Sequence, residues 1–281
     1  RAATLEAAIT WHGGEAEASK RAFAALSASQ RQSVMRFLHS SMSTFFISDL
    51  HIHESVPEIA AQFLQFLHDE AAQADALYIL GDLFEAWIGD DDPNEHFRAV
   101  QDALAQYSQS VPCYFMHGNR DFLIGDAFAK RTGCTLLRDP VVHQFHGENV
   151  LLSHGDLYCT DDEEYQAVRR TVRDPAWQAQ VLSLPVPARM QLAGNARNES
   201  AASNAQKTEE IMDVNEDAII ATLEAHAVHT LLHGHTHRPA QHDITLSDGS
   251  HARRLVLGDW YSQGSVGIWD EHGYQLKTLP R

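Results

Sequence analysis

The chain has three cysteines, no long apolar run and far fewer basic than acidic residues. Each shortage narrows what it can be. Cys113, Cys134 and Cys159 are odd in number, far apart along the chain and never form a Cys-x-x-Cys pair. That argues against a disulfide framework or a thiolate metal site, and for reduced thiols in a cytoplasmic protein. No stretch approaches the ~20 apolar residues of a membrane-spanning helix. The N-terminal residues do not carry a signal-peptide pattern. With 38 acidic against 21 basic residues, the net charge is −17. Broad electrostatic binding to nucleic acid or anionic lipid is therefore disfavoured, although metal ions can invert the local field for an anionic substrate. No obligate protein partner is evident. What the chain does have is length for one large domain or two small ones, 44% hydrophobic residues for a substantial core, and 18 histidines.

Residues 1–41 read differently from the rest. They are rich in Ala, Ser and Glu, with helical periodicity around Ala22–Leu26 and Val34–Leu38. Met42 then opens a strand that runs into Asp49, so Met42 is expected to be the natural start and residues 1–41 an extension outside the catalytic unit.

From residue 43 to the end the periods alternate. Strands are expected at Phe45–Ser48, Ala76–Leu80 and Val111–Met116, and helices at Pro57–Ala72, Phe97–Tyr107 and Phe122–Arg131, the last closed by Gly133. Such βαβαβ alternation predicts parallel strands. Val141–Phe145 and Asn149–Ser153 read as a hairpin, and Thr230–Leu232, Arg253–Leu257, Ser265–Trp269 and Tyr274–Leu279 as further strands. The class is α/β, with two sheets flanked by helices. Residues 157–227 carry no strand signal: a helix at Tyr165–Val172, a Pro-broken apolar stretch from Trp177 to Pro187, a polar run at Asn195–Lys207 and a helix at Asp213–Ala225. A helical insertion here reads as a lid, against the plainer alternative of a subdomain that only packs on the core.

Short segments rich in Asp, Asn and His end these strands: Asp49-x-His51, Gly81-Asp82, Gly118-Asn119-Arg120-Asp121, His154 and Gly234-His235-Thr236-His237. Singly each has an ordinary explanation. Asp-x-His fits a surface turn, Asp82 a helix N-cap, and a lone histidine a core residue. In this order, each at a strand end, they supply ligands for two metal ions, a standard device for splitting phosphate esters.

The set Asp-x-His, Gly-Asp, Gly-Asn-Arg-Asp, His and Gly-His-x-His resembles that of the calcineurin-like metallophosphoesterases. The resemblance implies a four-layer αββα sandwich. It also implies one ion held by Asp49, His51, Asp82 and His237, and a second held by Asp82, Asn119, His154 and His235. Ligation by N and O without sulfur suits two Mn²⁺ ions. Most members carry His after Gly-Asn. Here Arg120 stands there; it cannot donate a proton at neutral pH but can clamp phosphate and offset transition-state charge. A leaving group needing little acid help, such as a phosphate of a pyrophosphate, fits that substitution.

Longer stretches are similar to the UDP-2,3-diacylglucosamine hydrolase family of lipid A biosynthesis: Ala74–Asp91, Val111–Leu123, His154–Asp156 with Cys159–Asp162, Ile211–Asn215 and His233–Ala240. This resemblance implies an acylated UDP-sugar substrate and attack at the α-phosphorus by water activated between two metals. The products would be UMP and 2,3-diacylglucosamine 1-phosphate. It places catalytic roles on Asp82, Asn119, Arg120 and His235, and substrate contacts at Asn119, Arg120, Asp162, Ser200, Asn204, Lys207 and His235. Read without it, Lys207 is a solvated lysine, Asp162 an N-cap for the next helix and Trp177–Val186 the lid's own core. It also implies a peripheral position on the cytoplasmic face of the inner membrane, although the basic residues of 157–227 are scattered among acids. The rival readings are a nucleotide pyrophosphatase acting on a soluble substrate, which needs no apolar lid, and a scaffold that has lost its metals, which would not keep every ligand. Separately, Thr4–Ala16 resembles the tail of bacterial dihaem thiol-oxidoreductase-like proteins. The chain has no Cys-x-x-Cys-His haem site, so that tail would bring no activity; the alternative is an ordinary helical extension.

Overall fold

The computed structural model describes residues 43–204, 207–208 and 211–281; the side chains of Ala201 and Asn204 are not described. The expected helical periodicity before Met42, and the expected start at Met42, lie outside these residues.

Short apolar runs build two sheets. The first runs β11-β10-β1-β2-β3-β4, from β1 (Thr44–Ile47), β2 (Ala76–Ile79), β3 (Cys113–Met116), β4 (Thr135–Leu137), β10 (Gly264–Asp270) and β11 (Gly273–Leu279). Strands β1 to β4 are parallel, and β10 and β11 add antiparallel. The second runs β5-β6-β7-β9-β8, from β5 (Val141–Phe145), β6 (Glu148–Leu152), β7 (Thr230–His233), β8 (Ala240–Thr245) and β9 (His251–Val256).

Alternation along each strand sorts side chains into layers. Phe46, Tyr78, Leu80 and Met116 from the first sheet meet Phe145, Val150, Leu152, Leu232 and Leu255 from the second, forming an apolar layer between the sheets. The opposite face of the first sheet, with Phe45, Leu77, Ile79 and Phe115, is covered by α1 (Pro57–His68), α2 (Glu95–Tyr107) and α3 (Asp126–Thr132) through Phe63, Phe66, Val100, Leu104 and Phe128. The outer face of the second sheet is covered by α7 (Glu216–Ala225) through Ile219 and Leu223. The result is the expected αββα order. Each fully buried Phe or Leu contributes about 1.5–3 kcal/mol, so these layers hold the strand ends in fixed relation.

Between Asp162 and Asn204 lie α4 (Glu163–Val172), α5 (Pro175–Leu182) and α6 (Val186–Asn204). Asp162 caps α4, accepting from Tyr165 N, and Asp174 caps α5, accepting from Ala176 N and Trp177 N. Three expectations change here. The polar run from Asn195, to which the sequence assigned no element, continues a helix through Asn204. The helix after Asp213 is α7, part of the sandwich, so the insertion ends before it. Trp177 and Val181 pack on the main core rather than forming a core of the lid's own. The expected helix Phe122–Arg131 starts only at Asp126, because Asp90 from another loop accepts from Gly125 N and Phe128 N and fixes its first turn there. Gly133, with φ of 72°, closes it as expected. The cysteines are all free and buried, but Cys113 and Cys134, distant in sequence, bring their Sγ atoms to 3.3 Å.

Candidate metal centre

The ligand-bearing loops leave the carboxyl ends of the strands, the edge where α/β sheets place their sites. Beyond β1 and β2 the two chains stay paired: Asp49 N donates to Gly81 O, His51 N to Asp82 O and Ile52 N to Leu83 O. That pairing sets Asp49 and His51 opposite Asp82. The loop after β6 joins the loop after β7 through Gly234 N donating to His154 O. Glycine is required where the loops nest. At Gly81, with φ of 93°, an added Cβ would lie 2.5 Å from His154 Nδ1; at Gly118 one would lie 2.0 Å from Asp82 Oδ1.

All seven residues expected as ligands converge. His237 Nε2 lies 3.5 Å from Asp49 Oδ1 and 3.3 Å from His51 Nε2. Asn119 Oδ1 lies 2.9 Å from both His154 Nε2 and His235 Nδ1. Between the groups, Asp82 Oδ2 is 3.7 Å from His51 Nε2 and 3.8 Å from His154 Nε2. Asp49, His51 and His237, and likewise Asp49, Asp82 and His154, have ligand atoms close enough to share an ion.

The donor set fits divalent cations on observations of the chain itself. Asp49 Oδ1 is buried without a hydrogen-bond partner among the described residues. Atoms about 2.1 Å from one ion sit roughly 3 Å or slightly more from each other, the spacing seen here. Asp49, His51, Asp82, His235 and His237 all have left-handed backbone, with φ from 51° to 67°. Each such non-glycine residue costs of order 1–3 kcal/mol and persists where the surroundings over-determine it.

Charge follows the same plan. Burial would raise the pKa of Asp49, but His237, His154 and His51 hold it well below the usual carboxylate range. Burial would lower that of His154, but the Asp82, Asp156 and Asp49 carboxylates outweigh it and push the pKa up to about 9. Burial, with His154 nearby, drives His235 down to about 4. Two ring orientations are fixed from behind, with Nδ1 of His154 facing Leu80 O at 2.8 Å and Nδ1 of His51 facing Glu85 Oε2 at 2.8 Å. Each leaves Nε2 directed at the centre.

Arg120 lies at the rim. Its backbone N–H donates to Asp82 Oδ1 at 2.8 Å, and its Nε is buried without a partner among the described residues. Asp162 and Lys207 meet each other: Lys207 Nζ donates to both carboxylate oxygens at 2.8 Å. Asp162 is therefore both the N-cap that its position suggests and an ion-pair partner. Ser200 is half-buried on α6, and the side chain of Asn204 lies outside the described residues.

Two carboxylates at the centre lie in the quoted segments, but their roles escape a reading of sequence. Asp121 accepts from Gly118 N and Leu83 N at 2.8 Å each, and from Asp82 N at 3.3 Å. It ties the Gly-Asp loop to the Gly-Asn-Arg loop. Burial and the Asp82 charge raise its pKa to about 7, against the pull of those backbone donors. The other is Glu85. It stands three residues beyond Asp82, inside the Ala74–Asp91 stretch that carries the resemblance, but no role was read for it there.

The profile of the calcineurin-like phosphoesterase family matches residues 42–239. Curated relatives align more fully. The UDP-2,3-diacylglucosamine hydrolase of Stenotrophomonas maltophilia is 51% identical over 85% of this chain and all of its own length. That of Aeromonas salmonicida is 52% identical over 85% of this chain and 95% of its own. The chain belongs to the UDP-2,3-diacylglucosamine hydrolase family of calcineurin-like phosphoesterases. A solved archaeal phosphodiesterase, 11% identical, superposes with a TM-score of 0.44 over 85% of this chain and all of its own. A second profile, described as a di-haem oxidoreductase and putative peroxidase, matches residues 1–41. Family membership makes the chain a hydrolase of a family that binds divalent metals.

Proposed function

We propose that this chain hydrolyses the pyrophosphate bond of UDP-2,3-diacylglucosamine, with attack at the α-phosphorus, releasing UMP and 2,3-diacylglucosamine 1-phosphate. The observation that carries the reading is the shared position of Asp82, whose Oδ2 faces the Asp49–His51–His237 group on one side and the Asn119–His154–His235 group on the other. Two divalent cations, Mn²⁺ by the mixed N/O donor set, would be held by these groups and would supply an acidified water and charge neutralisation.

The chain's own residues do the rest. Asp82 Oδ1, held by Arg120 N, keeps Oδ2 directed between the groups. The buried Nε of Arg120 has no hydrogen-bond partner among the described residues, and the guanidinium is assigned to the phosphoryl oxygens, where a preorganised donor acts on developing charge. An arginine in place of an acid suits a leaving phosphate, which departs without protonation. Lys207 and Asp162 sit on the lid side and are assigned to the diphosphate and a sugar or ribose hydroxyl; substrate would open their ion pair. Ser200 and Asn204 are assigned to the same headgroup from α6.

The acyl chains and a place on the cytoplasmic face of the inner membrane belong to the same reading. Val168, Leu182, Met190 and Leu192 are exposed on the lid helices, which supports a surface that meets lipid. Among the described residues no helix is long and apolar enough to cross a membrane. Residues 1–41 are assigned no part in the reaction.

Hydrolysis in ¹⁸O-water tests the reading. Label in UMP is the expected result, and label in the sugar 1-phosphate would overturn attack at the α-phosphorus. A soluble nucleotide diphosphate cleaved as efficiently as the acylated substrate would favour the rival pyrophosphatase.

A further inference from the structure

The first lid helix reaches the floor of the metal centre. Arg173, the C-cap residue of α4, donates from Nη2 to Gly118 O at 2.9 Å and to His117 O at 3.3 Å. Those carbonyls immediately precede Asn119. The same nitrogen lies 3.7 Å from Asp156 Oδ2. Asp156 is buried two residues beyond His154, and it also receives the Tyr165 hydroxyl at 2.8 Å, with Arg169 Nε at 2.9 Å. Arg169 Nη2 is 3.7 Å from Asp139 Oδ2, and the other oxygen of Asp139 accepts from Ser153 Oγ at 2.6 Å, at the root of the His154 loop. The Tyr165 ring stacks on His235, with centroids 5.9 Å apart.

These bonds are one-sided. Helix α4 touches the loops of Asn119 and His154 and the ring of His235. Among the described residues, the hydrogen bonds and ion pairs of Asp49, His51 and His237 involve Ser48, Gly81, Asp82, Glu85, His235, Asp259, Trp260 and each other, and none involves α4. Charged groups buried against backbone carbonyls form strong, directional bonds, and such outer partners commonly set how well a metal site is formed.

We propose that α4 is a positioning element of the metal centre as well as a cover. Arg173, with Asp156 and Arg169, sets the loops that present Asn119 and His154. The Asn119–His154–His235 half of the site therefore depends on the lid, while the Asp49–His51–His237 half does not.

The inference rests on the metal assignment above, and one titration separates the two. Mn²⁺ is titrated into the metal-stripped full chain by calorimetry, for the parent and for Arg173→Leu, Arg173→Lys and Arg170→Leu. Arg170 is exposed on the same helix and serves as the control. The expected result for Arg173→Leu is one binding step unchanged and the other weakened by about 10–100-fold, with kcat lowered and KM unchanged. Arg173→Lys recovers part of the lost affinity, and Arg170→Leu matches the parent. Two unchanged steps in Arg173→Leu would overturn the positioning role while leaving the metal assignment standing. So would equal weakening of both steps together with a lower melting temperature, which marks general destabilisation. A Lys variant no better than Leu also counts against it. A parent chain that binds no Mn²⁺ overturns both.

Discussion

Glu85 Oε2 lies 2.8 Å from His51 Nδ1. It sits on the loop that carries Asp82, whose Oδ2 lies 3.7 Å from the other ring nitrogen. One loop therefore supplies both a candidate ligand and the group that orients a second ligand. A carboxylate behind a histidine fixes its tautomer and raises its strength as a ligand, and removing such partners commonly costs 10–100-fold in metal affinity. Glu85→Ala is expected to weaken Mn²⁺ binding by about that range, and Glu85→Gln by less, because the amide oxygen can still accept. Metal titration of the stripped protein checks this; equal affinities in all three proteins would contradict it.

Asp82→Ala removes the side chain assigned to both ligand groups. Turnover is expected to fall by more than about 10³-fold, since the variant lacks a charge on which both cations depend. The layers of the core do not involve this side chain, so circular dichroism should match the parent. Retained turnover would remove the two-metal account.

Arg120→His restores the residue common in the wider superfamily. The rate is expected to fall on the acylated UDP-sugar, by about 10²-fold if the guanidinium acts on transition-state charge as a preorganised donor. Steady-state kinetics with an unchanged kcat would mean that the arginine has no special role.

Asp121→Ala leaves the backbone N–H groups of Gly118 and Leu83 buried without their acceptor. Each such orphan costs about 1–3 kcal/mol, so urea denaturation should show a loss of roughly 2–6 kcal/mol. Asp121→Asn retains acceptor oxygen and should lose less. A variant as stable as the parent would show that other bonds hold these two loops together.

Metal removal should lower stability, because the left-handed ligand residues and the unpartnered Asp49 oxygen are strained in its absence. Saturating Mn²⁺ at about 100 times its Kd adds ~2.7 kcal/mol, or roughly 5–10 °C in melting temperature for a domain of this size. Calorimetry with chelator and with added Mn²⁺ measures the difference.

The seven candidate ligands that converge were legible in the sequence because they follow apolar strands in short, Gly-marked segments that keep their meaning out of context. Asp121 and Glu85 were hidden for the opposite reason. Their roles rest on contacts made only when separate loops meet, and a carboxylate after a strand is also an ordinary cap. Strands β4 and β8 were not read, since Thr135–Leu137 is very short and Ala240–Thr245 is a largely polar edge. Helix α6 was not read as a helix, because Asn195–Asn204 has no apolar stripe, and its course is fixed from its beginning. There the buried Arg189 donates to Ile88 O, Leu184 O and Asp91. The insertion seemed longer than it is because α7 carries no motif that separates a lid helix from a layer of the sandwich.

The most direct test is release of UMP from UDP-2,3-diacylglucosamine by the full chain after chelator stripping and stepwise return of Mn²⁺. The account predicts no release from the stripped protein and activity that saturates as the second ion binds. A protein that holds two ions per chain and releases no UMP, or one that works equally well without metal, would contradict it.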